Sequence, residues 1–201
     1  MDWQLLTQHL VSGYIPVIPA LLVYFIVLNM SRKRQTIAHI IMSYVFCFYL
    51  VGILTMTGIW WIKPFSPRLV WLPFVDMIRG PVDTVLNVFL FIPLGFFLPM
   101  LYKWYDRIRK VALTGFLLSL SVECVQMFGC GSTDVNDLIT NTVGACIGYY
   151  IFRLLSKGLR GDWCEALKAV KIQDCYEVLI FYVYSLLTMA LVQPVIFHKL
   201  F

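Results

Sequence analysis

The sequence predicts an all-α protein, a polytopic transmembrane helical bundle that crosses the bilayer about six times. Hydrophobic residues make up 60% of the 201 residues and charged residues only 13%, and the mean hydropathy is +0.80. A soluble chain of this length cannot bury so much apolar surface. The apolar residues also run in long stretches, without the alternation that is typical of barrel strands.

The apolar stretches predict six spans within a single integral membrane domain that covers residues 1–201. About 20 helical residues are enough to cross the hydrocarbon. The third span contains Pro93 and Pro99, so a kink is expected there. The predicted spans are Val11–Met30, Ile37–Ile59, Thr84–Tyr102, Val111–Phe128, Leu138–Leu155 and Tyr176–Phe197.

Two connections between the spans have a composition of their own. The connection before span three is rich in Trp and Pro, which favours an interfacial or partly re-entrant segment. The connection after span five is basic and is expected to form, in part, an amphipathic helix on the membrane surface.

The basic residues predict the orientation of the chain. Twelve of the 16 Lys and Arg residues follow spans one, three and five. The positive-inside rule therefore places both termini outside the cytoplasm. Because the positive charge is confined to short connections, the net charge of +5 does not indicate binding to nucleic acid.

Cysteine and histidine give no sign of a metal site or a cofactor. The six cysteines are scattered between apolar spans and loops, which favours free thiols over a disulfide framework. The three histidines are far apart in the sequence. The sequence therefore predicts neither a bound metal nor a cofactor.

Glu123 is the clearest polar residue inside a predicted span. A carboxylate in the middle of the bilayer costs about 2.5–3.5 kcal/mol on insertion scales. Ser119, Glu123 and Gln126 share one face of span four because they are spaced by four and three residues. This face is expected to line a site in the bundle rather than to meet lipid.

Spans five and three begin with similar pairs, in which an aspartate precedes an asparagine by one turn. In span five Asp137 precedes Asn141, and Asp134 comes just before as a cap or turn residue. Asp137 is either a carboxylate stabilised by the helix dipole or part of a site.

In span three Asp83 precedes Asn87, and Arg79 lies one turn earlier. Arg79 either pairs with Asp83 or belongs to the same site. Gly144 and Gly148 continue the Asp137 face of span five and are expected to let another helix approach closely.

These polar residues all fall in the non-cytoplasmic half, which predicts a polar pocket between spans three, four and five. No comparable cluster is expected at the cytoplasmic side. The pocket would bind a cation or a polar headgroup, or perform acid–base chemistry with Glu123 and Asp137. The candidate ligand-binding residues are Arg79, Asn87, Gln126, Asp134 and Asn141.

Four segments together resemble the VanZ-like family of bacterial membrane proteins over about Leu72 to Phe152. They are WLPFVDMI, NVFLFIPLGFFLP, SVECVQMF and DVNDLITNTVGACIGYY. The recurring polar positions of that family fall on Asn87, Glu123, Gln126, Asp134, Asp137 and Asn141. Many members carry an arginine shortly before the aspartates, whereas this chain has CGST there. If that arginine neutralises the acidic pair in other members, Arg79 or a cation would substitute for it here.

The resemblance implies a role in resistance to teicoplanin, a glycopeptide antibiotic, at the surface of a Gram-positive cell. The implied partners are membrane lipid and either a lipid-linked peptidoglycan precursor or the glycopeptide itself. The alternatives are an intramembrane enzyme that modifies a cell-envelope precursor or lipid, a small transporter, and a purely structural membrane protein.

Overall fold

The computed structural model describes residues 3–59, 69–70, 81–128, 133–158, 167–169 and 174–201. Within these ranges the chain is almost entirely helical, which confirms the all-α prediction. The helices are α1 Trp3–Tyr14, α2 Val17–Met30, α3 Ile37–Met56, α4 Pro81–Leu101, α5 Ile108–Gln126, α6 Val135–Ser156, α7 Asp174–Leu187 and α8 Gln193–Leu200. A 3₁₀ turn at Lys103–Tyr105 precedes α5, and a π-helical turn at Thr188–Val192 joins α7 to α8.

Five helical segments are long and apolar enough to cross a membrane, so the protein is a multi-pass membrane protein. The first of them combines α1 and α2, which meet at Pro16, and it begins earlier than the sequence predicted. The last combines α7 and α8. The five are Trp3–Met30, Ile37–Met56, Thr84–Leu101, Val135–Gly158 and Tyr176–Leu200.

Helices α4 and α6 pack backbone against backbone. A Cβ atom at Gly144 would overlap the carbonyl oxygen of Val88, and one at Gly148 would overlap that of Ile92. This confirms that the two glycines allow a close helix approach. Because later residues of α4 meet later residues of α6, the two helices run parallel.

Helix α5 packs along α6 and runs antiparallel to α4 and α6, so it leads the chain back to the end of the bundle where α4 begins. Its composition falls short of the other five because it contains Arg109, Lys110 and Glu123. The Tyr149 hydroxyl donates to the carbonyl of Asp106 (2.8 Å) just before α5, and the backbone N–H of Asp134 meets Glu123 near its end. The two contacts on α6 are 15 residues apart, so α5 extends along about 22 Å of that helix.

A tyrosine hydroxyl is inserted into α4 beside Pro93. The Tyr49 hydroxyl donates to the carbonyl of Leu90 (2.7 Å) and accepts from the N–H of Leu94 (3.1 Å). These two backbone groups are the ones that normally bond each other within the helix. An inserted side chain is a recognised cause of a helix bend, and it lies where the sequence predicts a kink.

The basic connections meet at one end of the bundle, which we call the basic end. The His39 ring, near the start of α3, bonds the carbonyl of Leu167 (2.9 Å), and the N–H of Ala169 bonds the carbonyl of Leu101 (2.9 Å). Lys168 lies 3.8 Å from Asp106. The connections after α2, α4 and α6 therefore share this end.

A short strand pairing lies at the opposite end. β1 (Leu69–Val70) runs parallel to β2 (Thr133–Asp134), with Val70 opposite Asp134. The rest of the Trp- and Pro-rich segment before Pro81, and most of the basic stretch after α6, lie outside the described residues.

Candidate functional site

The buried face of α5 carries the carboxylate that the sequence singled out. Glu123 is only 2% exposed, and Ser119 lies fully buried one turn before it. Glu123 Oε2 accepts a hydrogen bond from the backbone N–H of Asp134 (2.9 Å). Because a buried carboxylate needs such donors to offset lost hydration, this bond fixes the connection before α6 against α5.

Asp134 and Asp137 define the start of α6. Asp134 is the N-cap, and its Oδ1 accepts from both the backbone and the side-chain nitrogen of Asn136 (2.8 Å each). Asp137 Oδ1 accepts a hydrogen bond from Asn87 Nδ2 of α4 (2.6 Å). Asp137 is thus more than a helix-start carboxylate, because its side chain joins α6 to α4.

A third contact joins α6 to α5 one turn deeper. Asn141 Nδ2 donates to Ser119 Oγ (2.9 Å), and Ser119 Oγ donates to the carbonyl of Asp137 (3.4 Å). The three helices therefore converge on one hydrogen-bonded group of side chains. We call it the polar cluster: Asn87, Ser119, Glu123, Asp134, Asp137 and Asn141.

Gln126 extends the polar face of α5 beyond the cluster. Its Nε2 donates to the carbonyl of Thr57 (2.8 Å), just after α3 ends. Two buried oxygens, Gln126 Oε1 and Asn141 Oδ1, have no hydrogen-bond donor among the described residues. Buried acceptors are nearly always satisfied, so each of these two oxygens has an unused capacity for one further donor.

Two of the residues that the sequence singled out fall wholly or partly outside the described residues. Arg79 lies outside the described residues, and so does the side chain of Asp83, although its backbone belongs to α4. The pairing predicted for Arg79 and Asp83 stays a prediction. Among the described residues, no group of three or more His, Cys, Asp or Glu side chains is arranged to hold a metal ion.

The prediction that the other side of the bundle has no comparable cluster is wrong. His39 and Glu177 are fully buried at the basic end, with Nε2 of the histidine 3.2 Å from Oε2 of the glutamate. The Tyr24 hydroxyl donates to Glu177 Oε1 (2.9 Å). The two partners are 138 residues apart, so no spacing in the sequence points to the pair.

Comparison with known proteins places this arrangement in a family. The VanZ/LLP1 family model matches residues 17–156, a range that contains the whole polar cluster. The chain belongs to the VanZ/LLP1 family. Protein VanZ of Enterococcus faecium is 40% identical over 72 residues, which span 35% of this chain and 44% of that protein. No solved structure gives a significant match.

The VanZ/LLP1 resemblance drawn from the four sequence segments is thus confirmed. The family model begins at α2 and ends with α6, so it extends beyond the three helices of the cluster. The match to Protein VanZ covers less than half the length of that protein. What the whole relative does is therefore carried to this chain only as a proposal.

The chemistry of the polar cluster follows from its composition. The carboxylates of Asp134 and Asp137 lie within electrostatic range of Glu123. Side-chain amides and a hydroxyl surround these carboxylates, so the group can accept hydrogen bonds from a polar ligand and attract a positive charge. Carboxylates held close together are also a common arrangement for general acid–base catalysis.

Proposed function

We propose that this VanZ/LLP1 protein lowers the action of glycopeptide antibiotics such as teicoplanin at the surface of a Gram-positive cell. It does so by binding a lipid-linked wall precursor, a lipid headgroup or the drug at the polar cluster. Membership of the family supports the role in glycopeptide resistance. The convergence of α4, α5 and α6 supports the polar cluster as the binding site.

The observation that carries the binding role is the pair of buried acceptors that have no donor within the described part of the chain. Asn141 Oδ1 belongs to the cluster and Gln126 Oε1 lies one turn from Glu123. A ligand rich in N–H and O–H groups, such as a sugar or a peptide, satisfies such acceptors. The nearby carboxylates favour a ligand that also carries an amine.

The proposal requires the cluster to face outwards. The cluster lies at the end of the bundle opposite the basic connections, and positive charge marks the cytoplasmic side. Both termini are then extracytoplasmic. Labelling of a variant that retains only Cys130 tests this orientation, because reaction from the cytoplasmic side alone would reverse it.

Expression in a teicoplanin-sensitive Gram-positive host tests the process. The minimal inhibitory concentration of teicoplanin is expected to rise when the chain reaches the membrane, while that of an antibiotic with an intracellular target stays the same. An unchanged minimal inhibitory concentration of teicoplanin would contradict the proposed function, provided that immunoblotting confirms the protein in the membrane.

A second candidate function is an intramembrane enzyme that modifies a wall precursor or lipid. The proximity of Glu123 and Asp137 favours it, since the two carboxylates would serve as acid and base. Mass spectrometry of wall precursors and lipids separates the two functions. New or altered species that depend on Glu123 support the enzyme, whereas raised resistance with unchanged species supports binding.

A further inference from the structure

A groove between α2 and α3, near the basic end, has no part in the function proposed above. It has a volume of about 460 Å³, and its apolar wall consists of Leu22, Phe25, Ile26 and Ile40. Leu22 is 55% and Ile26 is 49% exposed. Since both belong to the first membrane-spanning segment, the groove opens towards the hydrocarbon of the bilayer.

The end of the groove nearest the membrane surface is polar and positive. Asn29, Arg34 and Gln35 line it. Arg34 is the last of three consecutive cations, Arg32, Lys33 and Arg34, all of them exposed. The ion pairs seen in the described part of the chain do not include these three residues. A positive charge is therefore placed at the mouth of an apolar groove.

The dimensions of the groove fit one leaflet of a bilayer. Its lining on α2 extends from Leu22 to Asn29, about 10 Å at 1.5 Å per residue, against about 15 Å for half of the hydrocarbon core. At the deep end the Tyr44 hydroxyl donates to the carbonyl of Ile18 (3.3 Å) and ties α3 to α2. The groove thus ends at this bond inside the bilayer, is open along its side to the hydrocarbon, and reaches headgroup level at Arg34.

We propose that this groove is a binding site for an anionic phospholipid. The phosphate lies at Arg34, with Asn29 and Gln35 as hydrogen-bond donors, and one acyl chain lies along the apolar wall. Arg34 can hold two phosphate oxygens at once because of its planar guanidinium. A soluble anion would leave the apolar wall unused, so the occupant is a lipid. The site is independent of the polar cluster, which lies at the other end of the bundle.

Native mass spectrometry of the full chain tests the site, after equilibration with equal amounts of dioleoylphosphatidylglycerol and dioleoylphosphatidylcholine. The wild type is expected to retain the phosphatidylglycerol preferentially. In Arg34→Gln the preference should fall about fivefold, the factor that one cation contributes at an anionic membrane surface. Arg153→Gln is the matched control, because Arg153 is also exposed near the basic end but does not line the groove.

A second variant tests the apolar part of the site. Ile26→Trp narrows the groove and leaves every charge in place, and it should lose the same bound lipid. Equal retention of the two lipids by the wild type would overturn the proposal. An unchanged preference for phosphatidylglycerol in Arg34→Gln would also overturn it. So would an equal loss of preference in Arg34→Gln and Arg153→Gln, because the effect would then come from the charge alone and not from its position in the groove.

Discussion

Replacing Gly148 with alanine is expected to prevent α4 and α6 from packing as they do. The new Cβ would overlap the carbonyl oxygen of Ile92, and it would also approach the backbone nitrogen of Phe96. Both contacts involve backbone, which cannot move aside as a flexible side chain can. We expect a loss of about 3 kcal/mol or more in the free energy of unfolding, at the upper end of overpacking effects. The thermal unfolding midpoint in detergent measures it.

Gly52→Ala is the matched control for this prediction. A Cβ at Gly52 meets only Leu10 Cδ1, at 4.0 Å, which is an ordinary van der Waals distance. This variant should unfold at nearly the wild-type temperature, because alanine is also the better helix former. Equal midpoints for the wild type, Gly148→Ala and Gly52→Ala would mean that α4 and α6 do not pack backbone against backbone.

The second large effect is expected from Glu177→Leu. The carboxylate is fully buried and bonds both the ring of His39 and the hydroxyl of Tyr24. Its removal takes this partner away from the buried His39 ring and the half-buried Tyr24 hydroxyl, and breaking a buried pair costs about 3–5 kcal/mol. A fall of that size in the free energy of unfolding would be seen in the same detergent assay.

A double-mutant cycle shows whether the loss belongs to the pair. Both ring nitrogens of His39 face oxygen acceptors, Glu177 Oε2 and the carbonyl of Leu167. His39→Leu combined with Glu177→Leu should lose less than the sum of the single variants, since paired residues are coupled. Strict additivity would contradict a direct interaction.

The sequence predicted the fold class well because hydropathy and length govern it directly. Helical spacing also placed Ser119 and Glu123 on one buried face, and the two glycines of α6 at a helix interface. These features depend on residues within one helix. The local pattern of a single helix is enough to reveal them.

Contacts between distant segments could not be predicted in the same way. Glu177 and His39 lie near the ends of two different spans. A single polar residue in such a place is typical of the membrane interface, so neither residue indicates a buried pair. Asn136 of the α6 cap and Tyr49, inserted into α4, were missed for a related reason. The residues that they contact depend on the conformation of the loops and on the way in which the helices pack. Hydropathy carries no information on either.

The fourth predicted span shows both what the sequence can predict and where it falls short. The sequence predicted a span over Val111–Phe128, but Arg109, Lys110 and Glu123 make α5 less apolar than the others. The parallel course of α4 and α6 requires α5 to return through the bundle. Glu123 is tolerated because it is buried against the α6 cap rather than exposed to lipid, and Arg109 and Lys110 lie in the first turn, at the basic end.

The central claim is that the polar cluster performs the function, and teicoplanin susceptibility of two isosteric variants tests it most directly. In Glu123→Gln and Asp137→Asn the side-chain oxygen can still accept from Asp134 N–H and from Asn87. The fold should therefore persist while the negative charge is lost. Asp106→Asn, a similar change at the partly exposed basic end, is the control.

We expect both cluster variants to reach the membrane at the wild-type level and to leave the host as sensitive to teicoplanin as an empty vector, whereas Asp106→Asn keeps the resistance. If the wild type confers resistance and both cluster variants confer it equally, the cluster is not the functional site.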